Sequence, residues 1–274
     1  MTSNTIMVQL DIDSAPAPRL NLARALADRF EADLIGFAAA EPYFVVSAEG
    51  GMIASELIRR SVDDIEQRLK SLEQEFEALT KGAAGASWRG FVGDPTRLLA
   101  LHSRAADLIV TGAPAPGIAN DYQRTIDAGS LILSAGRPIL VASEKPEPVR
   151  FESIVVAWKD AREARRAMVD ALPFLTRAKD VLVVTVEEAE PKEARESVAE
   201  VVHFLAKHGV KARSEVIDVD VSQAVDAMTT VAADLGANLI VSGGYGHSRL
   251  RQWAFGGVTR SLLQETGLHR LISN

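Results

Sequence analysis

The residues best suited to chemistry are glycines near the C-terminus. They follow the apolar run 237–241 and precede a helix-like segment at 258–263. They are Gly243, Gly246, Gly256 and Gly257. Glycine lets a backbone approach a phosphate closely, and the free N–H groups of a helix N-terminus add donors and the positive end of a dipole. The order of strand, glycine-rich loop and helix start predicts a cradle for an anion.

The sequence patterns of catalysis are missing. The histidines show no metal-ligand spacing, no G-x-S-x-G elbow occurs, and the glycine loop lacks the Lys-Ser/Thr ending of a Walker A motif. No residue offers a convincing general base against a γ-phosphate. We therefore predict no catalytic residues and no metal ligands, with a slow ATPase as a minority alternative. We expect the five histidines to lie at the surface: His102, His203, His208, His247 and His269.

Composition narrows the class of protein. The 274 residues include 30 Lys and Arg against 37 Asp and Glu, which gives a net charge of −7. This acidic balance argues against a nucleic-acid or anionic-membrane partner. The chain has no cysteine, so disulfides, thiolate nucleophiles and cysteine zinc sites are excluded. No secretory leader and no apolar run long enough to cross a bilayer is evident. We expect a globular, cytoplasmic protein.

The chain repeats itself. Residues 106–112 match residues 237–243 at an offset of 131, and residues 5–8 match residues 153–156 at an offset of 148. The two copies therefore differ in length by about 17 residues, and the excess lies between the second and third strands of the first copy. A polar segment with two prolines, 144–148, separates the copies. We predict two domains, 1–147 and 148–274.

Short β-branched runs alternate with amphipathic segments in each copy, which is typical of βαβ units. One such segment has apolar residues at 65, 69, 72, 76 and 79, on one face of a helix. The pattern predicts an α/β fold with two doubly wound, five-stranded parallel sheets, whose ligands lie beyond the carboxyl ends of the strands. Strands are predicted near 6–10, 34–38, 86–91, 108–111 and 139–142, and near 154–157, 181–186, 211–216, 239–241 and 270–272.

The glycine spacing G-x-x-G, nine residues, then G and a small residue resembles the nucleotide loop of the universal stress protein family. Together with the repeat, it makes the whole chain look like a tandem universal stress protein. The resemblance implies the adenine nucleotide alpha hydrolase-like fold, with some members binding ATP and others not. It also implies that the copies pair through their last strands as an intramolecular pseudo-dimer, with a homodimer of the chain left open.

The second copy keeps most of the family's nucleotide loop. Gly257 stands where the ATP-binding branch usually has Ser or Thr, and Lys159 replaces that branch's acid after the first strand. Trp158 either stacks on a base or packs against a helix. Arg249, Arg251 and Arg260 contact phosphates or form a solvated face. The resemblance implies these cofactor-binding residues: Ala157, Trp158, Lys159, Gly243, Gly246, His247, Gly256, Gly257 and Val258. A divalent cation stays an open question.

In the first copy the pattern is reversed. Asp11 keeps the family's acid, but the loop positions are occupied by other residues, and prolines remove backbone donors. The loop positions hold Gly112, Ala115, Thr125 and Ile126, with Pro114 and Pro116 between them, whereas a later Gly129-Ser130 pair requires a shift of register. Asp11 and Asp13 form either a cation site or a solvated strand end. We predict that this copy is structural.

We therefore predict a non-catalytic stress-response module with an ATP-sized cleft in the second copy that regulates an unknown protein partner. The alternative is a scaffold that binds no nucleotide. Its contact surface would include the first-copy insertion at 43–46 and 50–52.

Overall fold

The computed structural model describes residues 4–43, 51–81, 83, 85–112, 121–186, 191–245, 257–264 and 267–274, with the backbone alone at 51–54, 191, 221 and 257. Its first five strands are β1 (Thr5–Gln9), β2 (Asp33–Ala40), β3 (Ala86–Val92), β4 (Leu108–Thr111) and β5 (Ile139–Val141). The other five are β6 (Ser153–Ala157), β7 (Asp180–Val186), β8 (Ala212–Ile217), β9 (Leu239–Gly243) and β10 (His269–Ser273). Each predicted strand lies within two residues of these bounds.

Helices connect the strands. They are α1 (Ala17–Phe30), α2 (Gly51–Leu79), α3 (Pro95–His102), α4 (Ala128–Ser134), α5 (Arg162–Asp170), α6 (Leu172–Leu175), α7 (Pro191–Lys207), α8 (Ala224–Asp234) and α9 (Gly257–Gln264). The predicted apolar stripe of α2 is buried against the sheet at 65, 69, 72 and 76. Because α2 has 29 residues and α7 has 17, α2 holds most of the extra length of the first half. None of the described helices is both long and apolar enough to cross a membrane.

The strands form one sheet in the order β3-β2-β1-β4-β5-β10-β9-β6-β7-β8. The pairs are parallel within each half, and the strand order reverses between β1 and β4 and again between β6 and β9. The predicted α/β fold with two doubly wound, five-stranded units is confirmed. Since ligands of such sheets bind where the order reverses, each half has one candidate cleft.

The last strands of the two halves join them. β5 and β10 pair antiparallel, with Leu140 opposite Leu271. The predicted contact between fifth strands is therefore confirmed, and it takes the form of direct pairing that makes the two sheets continuous. Residues 142–152, which contain the predicted linker, hold no helix or strand. On one face Phe30 of α1 meets Phe174 of α6 edge to face at 5.0 Å, so helices of both halves share one core.

His269 shows that the expectation of surface histidines is wrong. Its side chain is 1% exposed at the start of β10. The Ser143 N–H donates to Nδ1 at 3.1 Å, so Nε2 carries the proton and donates to the Glu147 carbonyl at 2.7 Å. Burial lowers the pKa of His269, and the charge of Arg270 lowers it further, while the bond to the Glu147 carbonyl opposes them. Neutral His269 thus ties the segment between the halves to β10.

This tie predicts a loss of stability in mild acid. Because the pKa of His269 is lower in the folded chain than the ordinary value of 6.5, its stabilising contribution is complete above pH 6.5 and is lost as the pH falls from there toward the folded pKa. We expect the free energy of unfolding to fall by on the order of 1 kcal/mol, the size of one buried hydrogen bond. Urea unfolding between pH 5 and 8 measures it.

His269→Gln should flatten this pH dependence, whereas the same change at exposed His208 should leave it intact. His102, half-buried and stacked on Phe91 at 4.4 Å, has a pKa lowered by burial and adds a slope of the same sign, which both substitutions leave in place. An unchanged slope in His269→Gln would contradict the assignment.

Candidate anion-binding site

The cleft of the second half lies where β6 and β9 end side by side. Ala157, the last residue of β6, is in register with Ser242 of β9. Trp158 and Lys159 follow β6, and Gly243 ends β9. The predicted site residues of these two strands are therefore brought together at one edge of the sheet.

Gly243 allows β9 to approach helix α5 closely. A Cβ built on Gly243 would lie 2.5 Å from the Ala164 nitrogen and 2.7 Å from the Glu163 carbonyl carbon. Both atoms belong to the backbone of the first turn of α5, so they cannot move aside as a side chain could. Gly243 is therefore needed for the packing of β9 against α5. The sequence pattern predicted a different reason for this glycine, the close approach of a phosphate.

The loop that follows β9 is tied down on several sides. The Gly244 N–H donates to the Ser273 carbonyl at 2.8 Å, and the Tyr245 N–H donates to Thr259 Oγ1 at 3.4 Å in the first turn of α9. Asn274 Nδ2 donates to the carbonyls of Gly244 and Tyr245 at 2.8 and 3.2 Å. The start of the glycine-rich loop is thus fixed to β10, to α9 and to the last residue of the chain.

Helix α9 begins at Gly257, as the strand–loop–helix pattern predicts. Val258 is half-buried and packs against the core under α9, while Arg260 is exposed in the first turn. Several residues of the predicted loop lie outside the described residues: Gly246, His247, Arg249, Arg251 and Gly256.

Charged groups surround the β6 end of the cleft. Lys159 is exposed, and the next residue, Asp160, pairs with Arg165 of α5 at 2.5 Å. Lys159, which stands where the family resemblance expects an acid, is therefore accessible to solvent beside the end of β6.

The ring of Trp158 lies in the protein core. Its side chain is 5% exposed and belongs to the core shared by the two halves. Its Nε1 donates to Ser197 Oγ of α7 at 2.9 Å. The structure therefore favours the burial alternative over base stacking, because the hydrogen bond satisfies the indole N–H while the ring packs under the helix.

Glu163 is a feature of this cleft that the sequence did not suggest. The residue is 2% exposed in the first turn of α5, directly beside Gly243. Arg162 Nε lies 3.3 Å from its Oε1, whereas Oε2 accepts no hydrogen bond from the described residues. A buried carboxylate is costly without partners, so its position next to the glycine loop marks it as a candidate functional residue.

The cleft of the first half is filled by Arg19 of α1. Its guanidinium donates to the Gln9 carbonyl at 2.8 Å, to Gln9 Oε1 at 2.7 Å and to Asp11 Oδ2 at 2.8 Å. It lies directly over Gly112, where a Cβ would collide with its Nη2. Thr111 and Gln9 complete the network through a 3.0 Å hydrogen bond. Asp11 therefore holds an arginine of its own chain.

A carboxylate of the chain itself, that of Asp127, caps the N-terminus of α4 in the first half. Asp127 Oδ1 accepts hydrogen bonds from the amides of Gly129 and Ser130 at 3.0 and 3.3 Å. Its Oδ2 accepts one from Ser130 Oγ at 2.6 Å. The Gly129-Ser130 pair is thus part of a helix cap.

Asp13 lies in a second arginine network. Arg124 Nε donates to Asp13 Oδ2 at 2.6 Å, and Arg68 of α2 donates to Oδ1. The pKa of Asp13 is lowered chiefly by the hydrogen bond from Arg124 and further by the charges of Arg124 and Arg68, while burial, the second-largest influence, opposes them. Asp11 and Asp13 therefore form ion pairs with different arginines, which disfavours a shared cation site, while the 45% exposure of the Asp13 side chain agrees with a solvated strand end.

The first-half insertion lies beside this network. Tyr43, 44% exposed, donates its hydroxyl to Asp121, and the Arg124 guanidinium lies 5.6 Å from its ring centroid. The rest of the predicted contact surface falls on residues 44–46 and 50, outside the described residues, and on 51–52, where only the backbone is described. Within the described residues, no group of three or more acidic or histidine side chains is placed to hold a metal ion.

Solved structures resemble the chain over its full length. A universal stress protein from Archaeoglobus fulgidus matches with a TM-score of 0.71 at 14% identity, covering 99% of this chain and 96% of its own. The chain has the universal stress protein fold. A protein of unknown function and an assigned universal stress protein, both from Pseudomonas aeruginosa, match at 16% identity with TM-scores of 0.60 and 0.62. They cover 99% of this chain and 92% and 93% of their own.

No family model and no curated protein matches the chain. The solved relatives therefore establish the architecture of this tandem fold, while the chemistry of its clefts rests on the residues described above.

Proposed function

We propose that the chain is a non-catalytic stress-response module whose second half, 148–274, binds an adenine nucleotide such as ATP, while the first half, 1–147, is structural. One observation carries the proposal: the first cleft is filled by the Arg19 side chain, whereas in the described part of the second cleft the atoms nearest a Cβ on Gly243 belong to the backbone of α5. In the second half Ala164 is the third residue of α5, as Arg19 is of α1, and it lies beside Gly243 as Arg19 lies beside Gly112. The side chain of Ala164 ends at Cβ and lies in the core.

The charges near the second cleft suit a phosphate. The N-terminus of α9 carries the positive end of a helix dipole, and Arg260 adds charge in its first turn. Lys159 at the end of β6 is an exposed cation at the mouth of the cleft. In this proposal the lysine attracts the phosphates directly, where the family's acid would act through a divalent cation.

The competing function is a scaffold that binds no nucleotide. Two features favour it: Glu163, a buried acidic residue in the first turn of α5, has its backbone against Gly243, and Trp158 is buried, so it offers no face to a base. In either case we expect the two halves to act as one pseudo-dimer in the cytoplasm, with a protein partner of unknown identity.

ATP should stabilise the wild-type chain. At about 100 times its dissociation constant, a ligand that binds only the folded state adds about 2.7 kcal/mol, which raises the melting temperature by roughly 5–11 °C.

Gly256→Val should abolish the shift, because it crowds the predicted backbone approach to the phosphate. Lys159→Ala should weaken binding about fivefold through loss of one charge. Thermal melting and isothermal titration measure both effects.

Lys179→Ala is the matched control, because Lys179 is equally exposed but precedes β7 at the opposite edge of the sheet and pairs with Glu152. It should bind ATP as the wild type does. The absence of both heat and a thermal shift in the wild type would leave the scaffold as the better proposal, and an equal shift in Gly256→Val would place the nucleotide elsewhere. Phosphate release above background, lost in Gly256→Val, would instead support the slow ATPase.

A further inference from the structure

Tyr245 leaves the glycine-rich loop of the second half and enters the core of the first. Its side chain is 8% exposed and packs in a cluster with Leu131, Ile132 and Ile139 of the first half. Its hydroxyl lies against the first turn of α4, where a Cβ built on Gly129 would be 2.6 Å away. The candidate phosphate loop of one half is therefore in direct contact with a helix of the other.

The backbone at this point is held in an unusual conformation. Tyr245 has φ +53°, in the left-handed region that is uncommon for residues other than glycine. Such conformations persist only where the surroundings impose them, and they concentrate at binding and switch segments. The preceding residue, Gly244, has no space for a side chain, because a Cβ there would meet Ile272 Cγ2 at 2.7 Å and Ile132 Cγ2 at 3.0 Å.

Tyr245 also contacts α9, the helix whose N-terminus forms part of the predicted anion cradle. Its N–H donates to Thr259 Oγ1 in the first turn of α9 at 3.4 Å, and its carbonyl accepts from Asn274. One residue thus contacts α9 through its backbone and α4 through its side chain. A displacement of the ring by α4 would reach the start of α9 through the backbone of this one residue.

We propose that Tyr245 is a positioning residue that couples the second-half cleft to the first half, so that the packing of α4 sets the geometry of the loop and a bound anion stabilises the junction between the halves. The ligand side of this coupling rests on the proposed nucleotide function. The structural side does not, since the contacts are present in the chain alone. Coupling is reciprocal, so a change in α4 must alter affinity in the other half.

Gly129→Ala tests the coupling from the first half. The new methyl group would overlap the Tyr245 hydroxyl at 2.6 Å. It would lie 3.3 Å from Asp127 Oδ1, a tight contact within the cap of α4 itself, and 3.5 Å from Tyr245 Cζ, an ordinary contact. Removal of the hydroxyl by Tyr245→Phe should therefore rescue Gly129→Ala. By hydrogen-exchange mass spectrometry without ligand, we expect faster exchange in peptides covering 239–264 in Gly129→Ala and wild-type exchange in the double variant. ATP affinity should fall about fivefold and recover in parallel.

Gly136→Ala is the control at the other end of α4. No atom lies within 4 Å of the new methyl group, and its cost comes only from the backbone at φ +61°. It should leave exchange in the second half unchanged. Wild-type exchange in Gly129→Ala, or a double variant that stays perturbed, would overturn the coupling.

Two further outcomes have separate meanings. If the wild type binds no ATP, the nucleotide function fails, but the exchange result still decides the coupling. If Gly129→Ala does not fold, Tyr245→Leu replaces it, because leucine keeps apolar packing but lacks the ring and hydroxyl that reach Gly129 in the first turn of α4. Faster exchange at 239–264 in that variant would support the coupling, and unchanged exchange would refute it.

Discussion

Gly243→Ala should lower the free energy of unfolding by about 3 kcal/mol, the upper part of the usual cost of overpacking. The methyl group would lie 2.5 Å from the Ala164 nitrogen and 2.7 Å from the Glu163 carbonyl carbon. These atoms belong to the first turn of α5, so the strand and the helix must separate. Over a chain of this size the melting temperature should fall by roughly 6–12 °C, which calorimetry measures directly.

The control for this prediction is Gly136→Ala, whose methyl group meets no atom within 4 Å. Its expected cost is about 1 kcal/mol, the penalty for a left-handed backbone with a side chain. Equal melting temperatures for the two variants would mean that α5 can move away from β9 freely. In that case the close packing of Gly243 would have little energetic weight, and the approach of a ligand would remain the reason for a glycine at this position.

The sequence was sufficient to predict the fold because the pattern that specifies it is local. Runs such as 108–111 and 239–241 are short, β-branched and buried on both faces, so their composition marks them as parallel strands. The offset of 131 residues then relates the two halves. The contact between β5 and β10 was predicted from the family resemblance, but its direct antiparallel pairing is seen only in the structure.

The contents of the clefts could not be predicted because they depend on contacts between distant residues. Arg19 is one of 30 basic residues, and only the fold places it over Gly112. The sequence left two roles open for Trp158, and its hydrogen bond to Ser197 decides between them. The burial of His269 follows from the pairing of β10 with β5, since a single five-stranded unit would leave β10 at the edge of its sheet.

Arg19→Ala should lower the free energy of unfolding by about 2 kcal/mol. Removing one partner of a fully buried ion pair costs about 3–5 kcal/mol, and solvent reduces the loss here because the side chains of Arg19 and Asp11 are 16% and 20% exposed. Arg60→Ala is the control: its pair with Glu56 has the same charges on an exposed helix surface, with the arginine 71% exposed. We expect less than about 0.5 kcal/mol there.

A double-mutant cycle with Gly112→Ala identifies the cause of this loss. In the wild type the new methyl group at 112 collides with the Arg19 guanidinium and must displace it from Gln9 and Asp11. In Arg19→Ala the same methyl group enters space that the guanidinium has left, so it should cost less by about 1 kcal/mol or more. Urea unfolding of the four proteins gives this coupling energy. Additive losses would show that Arg19 stabilises the chain without filling the cleft, and the contrast with Ala164 that supports nucleotide binding in the second half would then lose its basis. ATP binding should be equal in Arg19→Ala and the wild type, because the proposed site lies across the junction in the other half.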